Sequence, residues 1–468
     1  MNFIEASVLI LFFAILCVPL ANRFRIPLEI FLFLGSCSIS LIPGLPRVVL
    51  DPVIVFDLFL PPILFSGAYF TSWKDFKFNL RPIALLAFGL VLFTSGMVAI
   101  VAKLILPSFT WPEAFLLGAI VSPTDASAAT AIIKRLGAPK RMIAILEGES
   151  LVNDATALII YRFSIGAIIY KTFSLPDAVA EFGLITVGGV LVGFAITYIA
   201  VALFRFIHDR HAQTAFTFIT AFSSYIVADR LGFSGVIATV VSGILAGIRF
   251  PEFASTTTKM NVKASWGTLL FIINGFVFTL IGFQLPRVIK NLGGYPISDL
   301  VYYGAVISAV VIGVRLIWIY PAAYIPRKLF PTLAKRDPVS SWKYLFVLGW
   351  AGMRGIVSLA SVLAIPAITA HHLMFSHVDL LIFVTYFVLM VTLLIPTLSL
   401  PLLIKVFKLT ETSDTTKEEA VARLHIIEEV IKKINQFAND NHIPMHVVDE
   451  FLHQIQQRQI VIQTQISE

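Results

Sequence analysis

Three clusters of polar residues interrupt otherwise apolar stretches, and their types suit the handling of a small cation and a proton. The first is Gly148-Glu149-Ser150-Leu151-Val152-Asn153-Asp154. At about 100° per residue on a helix, Ser150 and Asp154 fall about 40° apart, whereas Glu149 turns about 140° away from Asp154. Asp154 and Ser150 can therefore face one cavity with Asn153 adjacent, while Glu149 addresses another helix and needs a cation there. Arg315, inside the apolar run 310–320, supplies one. Breaking a buried ion pair on one side costs about 3–5 kcal/mol, so the two are expected to meet as a structural pair.

The second cluster is Ser122-Pro123-Thr124-Asp125-Ala126-Ser127, about ten residues into an apolar run and hence at mid-membrane depth. Proline removes a backbone donor and clashes with the preceding turn. The small hydroxylated residues around it can satisfy the freed backbone groups, which predicts an unwound break between two half-helices. The third is Gly349-Trp350-Ala351-Gly352-Met353-Arg354-Gly355. Each glycine weakens a helix by about 1 kcal/mol relative to alanine, so a second break is expected around Arg354.

Sodium is a hard cation that takes oxygen ligands. Asp154, Ser150, the Thr124 side chain or carbonyl, and water would supply them. A carboxylate withdrawn from water binds a proton more readily than one in solution. Such a group can hold a proton or a sodium ion but not both, and that exclusion is an antiport mechanism.

The elements that must position these residues are membrane helices. Of the 468 residues, 57% are hydrophobic and 13% charged, against roughly 25% charged in a soluble domain. Apolar runs of about 20 residues recur to about residue 406, each long enough to cross about 30 Å of hydrocarbon. The alternation of an outer-membrane barrel is absent. Breaks at proline, glycine and charge divide them into thirteen expected spans: 5–22, 27–45, 52–71, 82–106, 112–133, 142–170, 178–205, 211–229, 233–248, 265–285, 298–325, 342–369 and 376–405. The first run lacks a basic leader and a cleavage site and reads as a retained helix. Cys17 and Cys37 lie in apolar runs and suggest neither a disulfide framework nor a metal site.

Loops after odd-numbered spans are rich in Lys and Arg, with Lys134, Arg135, Lys140 and Arg141 in one and Arg327, Lys328, Lys335, Arg336 and Lys343 in another. Even-numbered loops carry only Arg47, Lys103, Lys171, Arg230, Arg287 and Lys290. The odd loops are thus expected on the cytoplasmic side, with the N-terminus outside and the C-terminus inside a cell (inner) membrane. The two broken spans stand seven apart, so corresponding positions run through the membrane in opposite directions. Broken helices at matching places in inverted halves point to a transporter's substrate site. The fold class is therefore an all-α membrane protein of about 13 transmembrane helices in two inverted repeats with discontinuous crossing helices. This transmembrane domain covers 1–406. A polar tail, 407–468, places Val421, Leu424, Ile427, Ile431 and Ile434 at spacings of three and four, as in a cytoplasmic amphipathic helix.

The chain resembles the monovalent cation:proton antiporter-1 (CPA1) family, the NhaP-type sodium/proton antiporters. The resemblance rests on Leu60-Pro61-Pro62-Ile63-Leu64-Phe65, the Ser122–Ser127 break, the Gly148–Asp154 segment, Ser234-Gly235 with Ser242-Gly243, Arg315, and 350–355. It implies a thirteen-helix homodimer in the lipid bilayer, with a dimerisation part and an ion-carrying part that moves like an elevator. Carried over by position, Asp154 is the exchange carboxylate and Ser150 and Thr124 are ion ligands. Asn153 stands where electrogenic relatives have a second aspartate, which implies electroneutral 1:1 exchange. Asp125 and Arg354 compensate half-helix dipoles at the crossing, and Glu149 with Arg315 corresponds to the family's helix-to-helix ion pair. One departure is Ser66, where relatives often carry an acid after the Pro-Pro segment. The expected activity is exchange of Na+ (or Li+) for H+, with no cofactor, no enzymatic chemistry and no nucleic-acid partner. K+/H+ exchange on the same scaffold is the nearest alternative. An intramembrane hydrolase, for which His371, His372 and His377 in one loop would have to supply a metal set, and a non-transporting cation sensor belong to other classes.

Overall fold

A computed structural model describes residues 3–24, 27–40, 55–171, 174–292, 294–337, 340–369, 377–409 and 413–440, with isolated residues between 448 and 459. His371 and His372 lie outside the described residues. The described elements are helices: α1 (Phe3–Phe24), α2 (Leu28–Ser40), α3 (Leu60–Phe70), α4 (Trp73–Phe78), α5 (Leu80–Ile105), α6 (Trp111–Val121), α7 (Ser127–Arg135), α8 (Lys140–Tyr170) and α9 (Leu175–Phe204). They continue with α10 (Arg210–Arg230), α11 (Gly235–Phe253), α12 (Thr256–Asn291), α13 (Ile297–Leu329), α14 (Pro331–Arg336), α15 (Trp342–Trp350), α16 (Ile356–Thr369), α17 (Val378–Val406) and α18 (Ser413–Asp440).

Helices occupy the described residues of the expected spans. Seven described helices are long and apolar enough to cross a membrane by themselves: α5, α8, α9, α11, α12, α13 and α17. Three of the other expected spans are interrupted or short. The spans expected at 112–133 and 342–369 are each divided into half-helices, and α3 has 11 residues. The helix expected at 265–285 runs from Thr256 to Asn291, and Ser255 caps its early start by accepting from Thr258 N.

The helices form two groups. In one, α1–α3 pack with α9–α12; in the other, α5–α8 pack with α13–α17. Small residues bring helices together within the first group. A β-carbon on Gly243 or Gly247 of α11 would collide with α3 backbone or side chains, and one on Gly193 of α9 with the Ala238 carbonyl. Dispersion between closely packed backbones holds such contacts in lipid, where no hydrophobic drive separates helix from solvent. Beyond the bundle, α18 leaves Val421 exposed, while Ile431 and Ile434 pack against Ala438, Val448 and Leu452.

Candidate functional site

The expected breaks are both present and they meet. Helix α6, started by a Thr110/Glu113 capping box, ends at Val121, and α7 starts at Ser127. Helix α15 ends at Trp350, and α16 starts at Ile356. Between them the extended segments pair as an antiparallel bridge of Asp125 and Met353, where Asp125 N donates to the Met353 carbonyl at 2.8 Å.

Four helix ends at mid-bundle leave backbone groups without intrahelical partners, and charged side chains meet them. The Asp125 carboxylate accepts from Ser127 N at 2.8 Å at the start of α7. It also packs against Gly355, at the start of α16, so closely that a β-carbon there would collide with it. At the opposite poles, Arg354 Nε donates to the Val121 carbonyl closing α6, and its Nη1 to the Gly352 carbonyl, each at 2.9 Å. Arg315 Nε donates to the Gly349 carbonyl in α15 at 2.9 Å. The glycines of 349–355 have a steric reason, since a β-carbon on Gly352 would strike the Arg315 guanidinium. Arg315 thus caps a half-helix in addition to its pairing with Glu149, a role its apolar surroundings gave no hint of.

Glu149 and Arg315 form a bidentate pair, with both side chains 2% exposed. Thr124 Oγ1 donates to Glu149 Oε1 at 2.8 Å. Asn153 Nδ2 donates to the Thr124 carbonyl at 2.9 Å and reaches Thr124 Oγ1 at 2.8 Å. The first broken span is thereby tied through Thr124 to α8 and, through Glu149, to α13. Asn153 is fully buried and turned toward this break.

Asp154 has a different setting. It lines a cavity of about 370 Å³, together with Ser150, Thr124, Asp125 and, from the other helix group, Ser66 and Asn274. Among the described residues its carboxylate has no hydrogen-bond or ion-pair partner. Ser150 Oγ accepts a long bond from Ala126 N at 3.4 Å. The cavity lies where the two helix groups face each other, with Leu60 through Phe70 and Leu270 on one side and α8 and both breaks on the other. At its mouth Lys134 and Glu147 form an ion pair at 2.7 Å. Of the expected site residues, Asp154, Ser150, Thr124 and Asp125 line this cavity, whereas Asn153, Glu149, Arg315 and Arg354 stand behind its wall. Thr130 and Ser358, one turn into α7 and α16, also line it and were not singled out from sequence. Their only signal was a hydroxyl shortly after each break. His377, from the loop considered for a metal set, pairs with Glu113 at 3.2 Å, and no metal-holding cluster of His, Cys, Asp or Glu occurs among the described residues.

Two antiparallel broken helices crossing beside an open carboxylate, within a bundle of apolar spans, define a multi-pass membrane transporter scaffold. The family model "Sodium/hydrogen exchanger, transmembrane" matches residues 8–406, and the chain belongs to that family. It is 29% identical over 448 residues to an uncharacterized Na+/H+ exchanger of Mycobacterium tuberculosis, covering 95% of this chain and 82% of the relative. It is 32% identical over 410 residues to a sodium, potassium, lithium and rubidium/H+ antiporter of Bacillus subtilis, covering 85% of this chain and 61% of the relative. In fold it is similar to the sodium proton antiporter MjNhaP1 from Methanocaldococcus jannaschii at pH 8, with a TM-score of 0.64 and 18% identity, covering 86% of this chain and 97% of that one.

Proposed function

We propose that the chain exchanges Na+ (or Li+) for H+ one for one, with both ions competing for the Asp154 carboxylate. The observation that carries this reading is that, among the described residues, Asp154 alone of the three acids at the crossing has no protein partner. Glu149 is held by Arg315 and Thr124, and Asp125 by Ser127 N. A cation in the cavity would take oxygens from Asp154, Ser150 and Thr124, and water would complete its shell. Thr124 can serve while holding the break, because its carbonyl and its hydroxyl each use one lone pair for Asn153 and retain another. Asn153, neutral and donating to Thr124, adds no second titrating group. One ion of charge +1 is then traded for another, and membrane voltage does no net work on the cycle.

Alternating access requires the wall between the helix groups to move. The α5–α8/α13–α17 group carries Asp154 and would slide against α1–α3/α9–α12, the part through which a homodimer would form in the cell membrane. The basic loops support a cytoplasmic setting for the Lys134–Glu147 mouth and for the 407–468 tail. The protein is accordingly a transporter of Na+ and H+ rather than an enzyme, and a role in pH homeostasis follows from that exchange.

The test is H+ flux from proteoliposomes against Na+, Li+ and K+, with the membrane potential imposed or clamped. Exchange with Na+ and Li+ at a rate independent of voltage is expected. A K+-only response assigns the scaffold to K+/H+ exchange, and a response to all three cations matches the broad range named for the Bacillus relative. A voltage-driven rate would overturn the single-carboxylate stoichiometry.

A further inference from the structure

Among the described residues, the cavity containing Asp154 closes partway along α8. Along α8 its lining ends at Asp154, and a second cavity, of about 230 Å³, begins at Ala155 and extends to Arg162. From Glu147 at the first mouth to Arg162 is about 22 Å at 1.5 Å per residue, so the two cavities lie toward opposite ends of α8. Between them Leu60, Leu151, Ala155, Val236, Val240 and Val357 form one apolar cluster. Dry packing of this kind blocks an ion, because nothing in it replaces a hydration shell.

The second cavity is polar in a specific way. Asp229, at the end of α10, accepts from Arg162 Nη2 at 3.0 Å and is neutralised by it. Asp57, in the π turn that leads into α3, also lines the cavity, is exposed, and has no hydrogen-bond or ion-pair partner among the described residues. Tyr225 is only 7% exposed and sits between the apolar cluster and the cavity. Its hydroxyl finds no hydrogen-bond partner among the described residues, and Asp57, Arg162 and Asp229 line the same cavity. One uncompensated carboxylate and one free hydroxyl therefore face water-accessible space directly beyond the plug that closes off Asp154.

We propose that this second cavity is the far mouth of the exchange path, a vestibule in which Asp57 draws alkali cations toward Asp154 from the face opposite the Lys134–Glu147 mouth. The proposal rests on the exchange reading above. A cleft of one charge sign with low-dielectric walls concentrates counter-ions and raises their rate of arrival. Arg162 keeps the attraction weak enough for release: with Asp229 also free, two carboxylates would retain a cation that must leave. The one-for-one stoichiometry fixes the equilibrium ratio, so Asp57 changes the speed and half-saturation of exchange from that face without altering that ratio.

The experiment measures half-saturating Na+ from each face, in right-side-out and everted vesicles, for the wild-type chain, Asp57→Asn and Asp57→Glu. Alkaline pH on the tested face minimises proton competition. Asp57→Asn is expected to raise the half-saturating Na+ about fivefold from the vestibule face only. Choline chloride on that face should shrink the difference through screening, and Asp57→Glu should restore the wild-type value. An unchanged value, an equal change from both faces, or a change that neither salt nor glutamate moderates overturns the vestibule and leaves the exchange reading standing. A wild-type chain that moves no protons for any alkali cation overturns the exchange reading, and the vestibule with it.

Discussion

The helix crossing and the cavity beside it share α8 and the same residue types, yet treat charge in opposite ways. At the crossing every ionised group is matched: Glu149 by Arg315 and Thr124, Arg354 by the Val121 and Gly352 carbonyls, Asp125 by the start of α7. In the cavity Asp154 has no such match. Charges in a bilayer are costly and persist where they are compensated or where they act. The crossing uses compensation to fix the shape of two unwound segments. The cavity withholds it, so that the missing partner can be an ion from solution. Removing a charge should therefore damage shape in one place and transport in the other.

The largest effect falls on transport. Asp154→Asn should reduce Na+-driven H+ flux to the level of empty vesicles while leaving the purified protein folded, because no partner loses its bond. Everted vesicles acidified by respiration give the flux, and a thermal melt in detergent gives the fold. Persistent full exchange in this variant would sink the assignment of Asp154 and erase the contrast between the two regions.

Glu149→Gln should do the reverse. It leaves Arg315 buried and uncompensated, a loss of about 3–5 kcal/mol that should appear as a lower melting temperature and poor yield. Replacing both residues with Met should recover part of the stability, since a buried pair is worth little against good apolar packing. Recovery should be incomplete, because Arg315 Nε also serves the Gly349 carbonyl. If Glu149→Gln instead folded normally and lost only transport, Glu149 would belong with Asp154.

A carboxylate away from the crossing shows compensation where water can reach it. Asp337, after α14, accepts from Arg141 at 2.8 and 3.0 Å and from Arg327 at 2.8 Å, with Arg81 at 3.2 Å. Burial pushes its carboxyl up, but the Arg141 hydrogen bonds and the charges of Arg141, Arg327 and Arg81 outweigh that and hold it below the usual carboxylate range. A group with a lowered pKa contributes stability that is complete above the unfolded value of about 3.9 and is lost as pH falls through the lowered one. Asp337→Asn should cost about 2 kcal/mol near neutral pH, between an exposed and a fully buried pair, and should flatten the acid limb of the melting profile. An unaltered acid limb would show that Asp337 is not what holds the three arginines.

How far these regions could be read from sequence follows from what each depends on. Pro123 within an apolar run and the glycines of 349–355 announce unwound segments, because a helix interior resists both. Helical spacing separated Glu149 from Asp154 before any fold was known. The same spacing did not say where Asn153 points. It is next to Asp154 in sequence but about 100° around the helix, and it faces Thr124 rather than the cavity. The count of helices able to span alone was beyond composition too, since half-helices and full spans have the same apolar content. Nothing in the sequence joined Asp57, Arg162 and Asp229, which come from three elements and share no motif; only tertiary packing places them around one cavity. Arg315 could be assigned a carboxylate partner, but not the carbonyl it also caps.

The smallest effect sharpens the boundary between the two regions, because Ser150 belongs to both. It lines the cavity beside Asp154 and also accepts from Ala126 N next to the start of α7, at a length of 3.4 Å that marks a weak bond. If its hydroxyl is mainly a cation ligand, Ser150→Ala should raise the half-saturating Na+ about threefold to tenfold, in line with the loss of about 0.5–1.5 kcal/mol for one polar contact. Proton binding at Asp154 needs no second oxygen, so the pH at which H+ alone inhibits should stay where it is. If the hydroxyl mainly holds the break, the melting temperature falls and the half-saturating Na+ stays constant. Measuring both quantities on one preparation assigns Ser150 to the compensated crossing or to the open cavity.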